Sequence, residues 1–282
     1  MLRTRIITAA LLLIVFLLAL FTLPPIGWTV FATLISAIAA WEWGGLMRLS
    51  SRARLLVGAA LTLVCAIISF WQPAAFGISP GFTDSAWNLG RWFYLPAAVF
   101  WLVLVPLWMK FRWQLPKSAV GFLIGALLIF PTWLALIQLR HAGSLVLLTI
   151  LAMIWLADVA AYFSGRAFGK HKLAPSISPG KTWEGALGAG VAVLIFGLII
   201  LPLLPNFFIR MSTVNYAFLS VVLVALTAIS IVGDLFESLL KRQAGLKDSS
   251  NILPGHGGVL DRIDSQTSTL PLVVLAWLLT LH

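Results

Sequence analysis

Long apolar runs recur along the chain and alternate with short polar segments. The nine runs cover residues 6–22, 26–43, 55–71, 92–109, 119–138, 144–163, 186–204, 215–235 and 267–281. Runs of this kind are long enough to cross a hydrocarbon core of about 30 Å. Because lipid offers no hydrogen-bond partners, the backbone of each run must satisfy itself, which favours helices. We therefore predict an all-α, polytopic integral membrane protein with about nine transmembrane helices.

The composition strengthens this prediction. Of the 282 residues, 61% are hydrophobic and only 10% are charged, which excludes a soluble globular protein. The first run is interpreted as a retained helix, because no small-residue cleavage site follows it and Pro24 and Pro25 lead directly into the next run. Cys65 is the single cysteine and lies within an apolar run, so we expect neither an internal disulfide nor a thiolate metal site. Membrane lipid is the expected surrounding, and no nucleic acid is expected as a partner.

The basic residues predict which ends of the helices face the cytoplasm. With the N-terminus in the cytoplasm, 16 of the 19 Lys and Arg residues fall on that side, and only Arg91, Arg140 and Arg210 fall opposite. This excess is the positive-inside signal, and it supports an odd number of spans. The outer loop 72–91 contains several Pro and Gly residues and is expected to be irregular. Short loops and the lack of tails favour a bacterial cytoplasmic (inner) membrane.

The carboxylates divide the chain into two regions. Residues 1–150, which hold spans one to five and the start of span six, contain only two carboxylates, Glu42 and Asp84. Residues 151–282 contain seven more: Asp158, Glu184, Asp234, Glu237, Asp248, Asp261 and Asp264. All seven lie in or beside predicted cytoplasmic segments, although acidic residues contribute little to orientation. We therefore predict a catalytic region at 151–282, with cytoplasmic loops at 164–185 and 236–266.

The sixth span ends with three polar side chains on one helical face. Asp158, Tyr162 and Arg166 follow at intervals of four residues, so they project from the same face. A carboxylate near the inner end of a span is costly to insert and is a functional candidate by default. An ion pair that only fixes helix packing is the alternative. Because other charged segments lie close by, we favour substrate binding.

The loop after this span is rich in groups that bind anions. It contains Lys170, Lys172, Ser178, Lys181 and Thr182 and leads into the seventh span. A helix N-terminus with lysine and hydroxyl groups suits a phosphate. The Gly-Lys-Thr at 180–182 is not a P-loop, because Pro175 stands where its first glycine is needed and no strand is predicted before it. For the lysines, contact with lipid head groups is the alternative.

The end of the eighth span carries a second polar face. Asp234, Ser238 and Lys241 lie at i, i+4 and i+7, with Glu237 at the margin and Arg242 next in sequence. The end of an ordinary amphipathic helix could show the same pattern. A carboxylate deeper in the span than the lysine on its face favours the lining of a cavity.

The segment that follows holds the densest polar cluster. After Lys247 and Asp248, the turn at 254–258 contains glycines that allow positive φ and close approach to a ligand, together with His256, a candidate acid, base or phosphate donor. Asp261, Arg262 and Asp264 open the last span. Carboxylates without cysteine or paired histidine suggest Mg²⁺ held together with substrate phosphates. Whether a second cation binds is left open.

These polar segments resemble those of phosphatidate cytidylyltransferases, also called CDP-diacylglycerol synthases. The family pattern is Ser-x-apolar-Lys-Arg, then Lys-Asp, then Pro-x-His-Gly-Gly-apolar-x-Asp-Arg-apolar-Asp, and residues 238–264 match it throughout. Residues 168–175 and 178–185 are also similar to the family. The chain departs at Val159, where members commonly have Thr or Ser. That departure puts a hydroxyl contact at this position in question.

The resemblance implies condensation of CTP with phosphatidate to CDP-diacylglycerol and pyrophosphate, with Mg²⁺ held by Asp234 and Asp261. It also implies a multi-span helical fold, a homodimer and an active site that opens to the cytoplasm. The residues expected in catalysis are Asp234, Asp261, Lys241, Lys247, Asp248, His256, Arg262 and Asp264. Those expected to bind the substrates are Asp158, Tyr162, Arg166, Lys170, Lys172, Ser178, Lys181, Thr182, Ser238 and Arg242.

Two other functions fit part of the pattern. An organic-anion transporter also combines many spans with charge inside the membrane, but its site usually lies near the midplane between inverted repeats. Here the charges gather at one end of the spans and no repeat is visible. A CTP-dependent polyprenol kinase would share nucleotide and metal residues but would release CDP. Identifying the released product would therefore distinguish it from a cytidylyltransferase, which releases pyrophosphate.

Overall fold

The computed structural model describes residues 2–204 and 216–281, and it confirms an all-α membrane fold with one small β-hairpin. The helices are α1 (Leu2–Thr22), α2 (Pro25–Leu46), α3 (Ser51–Trp71), α4 (Phe82–Val99), α5 (Val105–Phe111), α6 (Ala119–Ala142), α7 (Ser144–Phe168), α8 (Trp183–Ile200), α9 (Tyr216–Gln243) and α10 (Leu260–Leu281). The strands are β1 (Lys172–Ala174) and β2 (Ser178–Thr182). Arg210 and the first residue of the predicted eighth run, Asn215, lie outside the described residues.

The predicted spans correspond to long helices. Within the described ranges, 8 helices are long and apolar enough to cross a membrane. The ninth predicted run lies in α10, which begins with charged residues and is not one of these 8. Helices α4 and α5 form one continuous span from Phe82 to Phe111 through a π-helical turn at Phe100–Leu104. The prediction of an irregular outer loop is therefore wrong over 82–91. That part lies outside the apolar run, but Ala86 and Gly90 on one of its faces are buried.

Hydrogen bonds between distant segments show which helix ends lie together. The Arg140 guanidinium, near the end of α6, donates to the carbonyls of Leu20 and Leu23 at the end of α1, at 3.2 and 2.5 Å. Near the opposite helix ends, Arg48 donates to the Gln243 carbonyl at 2.8 Å, and the Gln243 amide donates to the Trp113 carbonyl at 2.8 Å. Both groupings agree with the predicted alternation of the spans. A cytoplasmic N-terminus stays a prediction.

Small residues allow α7 and α8 to pack closely. A Cβ atom on Gly185 would lie 2.8 Å from the Ala161 carbonyl, so a larger residue would push the helices apart. The hairpin connects these helices, with Lys172 opposite Thr182 and Ala174 opposite Ser178. The helices extend further than the apolar runs, because α7 reaches Phe168 and α9 reaches Gln243. The polar segments therefore span only 169–182 and 244–259, and rigid helix ends present most of the candidate side chains.

An aromatic cluster holds α9 against the fourth span. The Phe236 ring meets the rings of Phe100, Trp101 and Trp108 edge to face, at centroid distances of 5.8, 5.7 and 5.6 Å. Phe100, Trp101 and Phe236 are nearly fully buried. Such pairs add about 0.5–1.5 kcal/mol each beyond the area that they bury. The cluster thereby fixes the polar end of α9, which carries the candidate residues of the eighth span.

Candidate active site

A polar cavity of about 570 Å³ lies between α7, the hairpin, α9 and the start of α10. Candidate residues from four separate sequence segments line it: Asp158, Tyr162, Arg166, Ser178, Lys181, Thr182, Asp234, Lys241, Asp261, Arg262 and Asp264. We call this the acidic cavity, because four aspartates face it. The cavity joins the sixth and eighth spans to both polar segments, as the sequence predicts.

Asp234 projects from α9 and forms an ion pair with the hairpin. The Lys181 ammonium lies 2.5 Å from the Asp234 Oδ2 atom, and both side chains are about three-quarters buried. The Ser238 hydroxyl donates to the Asp234 Oδ1 atom at 3.3 Å. Ser238, a predicted substrate ligand, therefore contacts the carboxylate one turn earlier. The Lys181 ammonium of the hairpin therefore lies directly against the Asp234 carboxylate of α9.

Asp261 is buried at the start of α10 and accepts four hydrogen bonds. Its Oδ1 atom lies 2.6 Å from the Lys241 ammonium. Its Oδ2 atom accepts from the Ser249 backbone and hydroxyl and from the Gly258 backbone, each at 2.8 Å. Burial disfavours the ionised form of Asp261, but the Lys241 ammonium and the Gly258 and Ser249 N–H groups outweigh this effect. The carboxylate is therefore held ionised before the apolar part of the last span.

Negative charge is concentrated around Lys241. The Lys241 ammonium also lies 3.4 Å from the Glu237 carboxylate, which is buried beside Asp264. The Asp264 carboxyl group is desolvated and lies near the Asp234 carboxylate, and both effects disfavour its ionised form. Additional positive charge close to such a carboxyl group would favour its ionised form. The cavity is therefore suited to a cation.

The donor set fits Mg²⁺ only in company with substrate. In residues 2–204 and 216–281, no three His, Cys, Asp or Glu side chains are arranged to hold a metal ion on their own. Mg²⁺ is usually held by one or two carboxylates, and substrate phosphates and water complete its shell. Asp234 and Asp261 both line the acidic cavity and could supply those carboxylates. The ligand set predicted from the sequence stays a prediction.

The face predicted on the sixth span is present at the end of α7. Asp158, Tyr162 and Arg166 all line the acidic cavity, and the Arg166 guanidinium donates to the Tyr162 hydroxyl at 3.2 Å. The Tyr162 side chain is 58% exposed. Apolar residues of α7 and α9, including Ala161 and Ile231, line the same wall. The wall thus combines apolar and polar surface, as a lipid with a charged head group requires.

A second cavity, of about 450 Å³, is lined by candidate residues that do not line the acidic cavity. Lys247, Asp248 and His256 line it together with Arg5 and Arg262, and we call it the basic cavity. Arg262 lines both cavities, so they adjoin at this guanidinium. The predicted turn is present, because Gly255 and Gly257 have φ of 78° and 81°. The His256 Nδ1 atom is buried and lacks a hydrogen-bond partner among the described residues.

The remaining candidates fall into two groups. Some line neither cavity, and the others make hydrogen bonds that stabilise the fold. Lys170 and Lys172 are exposed on the hairpin segment and line neither cavity. The Arg242 guanidinium donates to the Leu246 carbonyl at 3.4 Å and so closes the end of α9. The Thr182 hydroxyl accepts from the Gly185 backbone at 3.1 Å, as the N-cap of α8. The structure thus gives Thr182 a capping contact within the cavity wall.

Sequence reasoning missed two residues near the site. Arg5 is one of the 16 basic residues that predict the orientation of the spans, and no other role is predicted for it, but it lines the basic cavity. Glu42 was attributed no role, but its buried carboxylate accepts hydrogen bonds from the segment that carries Asp261. A lone carboxylate in an apolar span is a functional candidate by default, and the argument applied to Asp158 could have found Glu42 as well.

Comparisons with known proteins identify relatives that match nearly the whole chain. A model of the cytidylyltransferase family matches residues 3–280. A phosphatidate cytidylyltransferase of Haemophilus influenzae is 35% identical over 291 residues, which cover 96% of this chain and 96% of that protein. One from Pseudomonas aeruginosa is 36% identical, with 98% and 97% covered. One from Staphylococcus haemolyticus is 44% identical over 134 residues, about half of each chain.

These matches extend over both the apolar spans and the polar cavity. The matched region begins within the first turn of α1 and ends within α10, so the similarity does not depend on the charged segments alone. The protein is therefore an integral membrane enzyme that transfers a nucleotidyl group, and the chain belongs to the cytidylyltransferase family.

Proposed function

We propose that the protein condenses CTP with phosphatidate to form CDP-diacylglycerol and pyrophosphate, with Mg²⁺ as cofactor. The observation that carries this proposal is the acidic cavity at one end of the membrane helices, where Asp234 and Asp261 face cationic side chains. Near full-length similarity to phosphatidate cytidylyltransferases supports the choice of substrates. The cavity opens to the cytoplasm in this proposal, since CTP arrives from there.

The chemistry requires little proton transfer. The second pKa of a phosphate monoester is about 6, so the phosphatidate phosphate is mostly a dianion at neutral pH. One of its oxygens attacks the α-phosphorus of CTP, a new P–O bond forms, and the bond to the β-phosphate oxygen breaks. The electron pair leaves on pyrophosphate. No strong general base is needed, so His256 acts as a donor to phosphate in this scheme.

The main barrier is repulsion between two polyanions. Two unit charges about 4 Å apart repel by roughly 4 kcal/mol at an effective dielectric constant of 20. Lys181, Lys241 and Arg262 all face the acidic cavity and can neutralise phosphate oxygens as the substrates meet. Asp234 and Asp261 would hold Mg²⁺, which when bound supplies further positive charge to the nucleotide phosphates and the leaving pyrophosphate. Asp248 and Asp264 orient the basic residues around them.

The two cavities offer one route for each substrate. Phosphatidate cannot cheaply leave the bilayer, because each buried CH₂ group contributes about 0.8 kcal/mol. Its head group would reach the acidic cavity beside α7 and α9, past the exposed Tyr162. CTP would enter through the basic cavity, where Arg5 and Lys247 attract its phosphates. Arg262 then lies between the two sets of phosphates. We expect a homodimer, with one such pair of cavities in each subunit.

Product identification tests this proposal against its rivals. Purified protein in detergent is given labelled CTP, phosphatidate and Mg²⁺, and the products are separated. We expect label in CDP-diacylglycerol and an equal amount of pyrophosphate. Release of CDP, with phosphate transferred to an added polyprenol, would instead identify a lipid kinase. Unchanged substrates, combined with uptake of an organic anion by proteoliposomes, would identify a transporter.

Replacing Lys247 with alanine should raise the KM for CTP by about tenfold. Lys247 lines the basic cavity and would contact the incoming phosphates, and hydrogen bonds to charged groups contribute about 1.5–3 kcal/mol. We expect the lower end of this range because the lysine is exposed. Steady-state rates at varied CTP concentration measure the effect. Lys117→Ala is the matched control, since Lys117 is exposed and lines neither cavity. An unchanged KM with a normal rate would remove Lys247 from the CTP route.

A further inference from the structure

Glu42 is a fully buried carboxylate in the N-terminal half of the chain. It lies near the end of α2, and its relative exposure is 0%. In the described part of the chain, no basic side chain lies within ion-pair distance of it. An isolated buried charge costs several kcal/mol unless hydrogen bonds compensate it. The groups that compensate Glu42 therefore indicate what it does.

Among the described residues, the hydrogen-bond donors to Glu42 come from the catalytic segment, more than 200 residues away in sequence. The Oε1 atom accepts from the Ser250 hydroxyl at 2.6 Å and from the Val259 backbone at 2.9 Å. The Oε2 atom accepts from the Leu260 backbone at 2.6 Å. Val259 and Leu260 are at the N-terminus of α10, where free N–H groups and the helix dipole favour a negative charge. Glu42 thus caps α10 from a different helix.

The same short segment is held from its other side by Asp261. Asp261 accepts from Ser249 and Gly258, whereas Glu42 accepts from the residues directly after them, Ser250 and Val259. The two carboxylates therefore hold successive residues at both ends of the 249–259 segment. Gly258 lies between them, and a Cβ atom on it would collide with the Glu42 Oε1 atom and the Ser249 hydroxyl. Only glycine fits at this position without displacing the Glu42 carboxylate or the Ser249 hydroxyl.

We infer that Glu42 is a positioning residue, which sets the start of α10 so that Asp261 faces the acidic cavity. This inference rests on the proposed function for what Asp261 binds. It also assigns the first spans a part in the active site, because α2 supplies one of the two carboxylates that hold the segment. Groups behind metal or phosphate ligands commonly change affinity or activity by about 10–100-fold when they are mutated.

Substituting glutamine for Glu42 tests the inference with a readout that does not depend on turnover. The amide keeps one oxygen acceptor but presents an NH₂ group to a backbone N–H, so the α10 N-terminus should shift. In purified protein with CTP, we expect Mn²⁺ binding, followed by electron paramagnetic resonance, to weaken by about 10–100-fold. The Mg²⁺ concentration for half-maximal rate should rise in parallel. The thermal midpoint should change only slightly, because the variant should still fold.

Two further variants keep the test decisive. Ser250→Ala removes one of the three donors and should weaken Mn²⁺ binding in the same direction by about 2–10-fold, even if Glu42→Gln fails to fold. Thr29→Val is the control, because Thr29 is buried on the same helix and its hydroxyl donates to the Pro25 carbonyl within that helix. Unchanged Mn²⁺ affinity in Ser250→Ala and Glu42→Gln, with a lowered thermal midpoint, would overturn the inference and leave Glu42 a purely structural cap. Failure of the proposed function would appear separately, as wild-type protein that makes no CDP-diacylglycerol.

Discussion

Replacing Asp261 with asparagine should reduce CDP-diacylglycerol synthesis by about 100–1,000-fold, the range seen when a group that stabilises transition-state charge is removed. Asparagine preserves the shape of the side chain, but it has no charge and only one acceptor oxygen. The ion pair with Lys241 and part of the triple contact with Ser249 and Gly258 are lost together. Transfer of label from CTP to lipid, measured over a range of Mg²⁺ concentrations, determines the effect. Asp234→Asn should be similarly damaging.

The control for this substitution is Asp84→Asn. Asp84 lies in the first turn of α4, is exposed and lines neither cavity, so the same chemical change there should leave the rate within about twofold. Folding of each variant is checked by its thermal midpoint in detergent. An Asp261→Asn enzyme that kept a normal rate and a normal Mg²⁺ requirement would remove Asp261 as a metal ligand.

Sequence periodicity predicts well those features that depend on a single helix. Asp158, Tyr162 and Arg166 share one wall of the acidic cavity because their spacing matches the helical repeat. The positive φ of Gly255 and Gly257 follows from the composition of their turn. Both predictions concern local geometry, which the chain determines within a few residues.

Sequence periodicity does not predict contacts between segments that are distant in the chain. The 244–259 segment has no periodic pattern, so the sequence does not reveal that Lys247 faces a different cavity from Lys241. The start of α4 at Phe82 was missed because apolarity marks the part of a helix that lies in lipid, whereas this helix begins earlier. The bonds from Ser250 and Leu260 to Glu42 join the two halves of the chain, and no local rule predicts such a pairing.

Both predicted metal ligands are paired with lysines in the structure, which has a physical consequence. Lys181 neutralises Asp234, and Lys241 neutralises Asp261, so neither carboxylate is an uncompensated charge inside the protein. Substrate phosphates would compete with the carboxylates for these lysines. In the proposed mechanism, the same two ammonium groups therefore stabilise the free enzyme and neutralise the substrates. A variant that lacks one of them should separate these two effects.

Replacing Lys241 with methionine should destabilise the protein strongly when no divalent cation is present. Lys241 lies between Glu237 and Asp261, and its side chain is largely buried, with only 12% exposed. Removing one partner of a buried ion pair typically costs about 3–5 kcal/mol, because the other charge stays buried without compensation. We expect the thermal midpoint in detergent, in the presence of a chelator, to fall by about 10 °C. Synthesis should also fall, because one phosphate contact is lost.

Mg²⁺ should restore more stability to Lys241→Met than to the wild type. A ligand that binds only the folded state stabilises it by an amount that grows with its affinity, and removal of the lysine leaves Asp261 free for the cation. Lys117→Met, at an exposed loop position, controls for loss of a lysine as such. An equal effect of Mg²⁺ on Lys241→Met and on the wild type would mean that Asp261 pairs with Lys241 and does not bind the cation. The cation would then have to be held by Asp234 and the substrate phosphates alone, and Lys241 would be a permanent structural partner of Asp261.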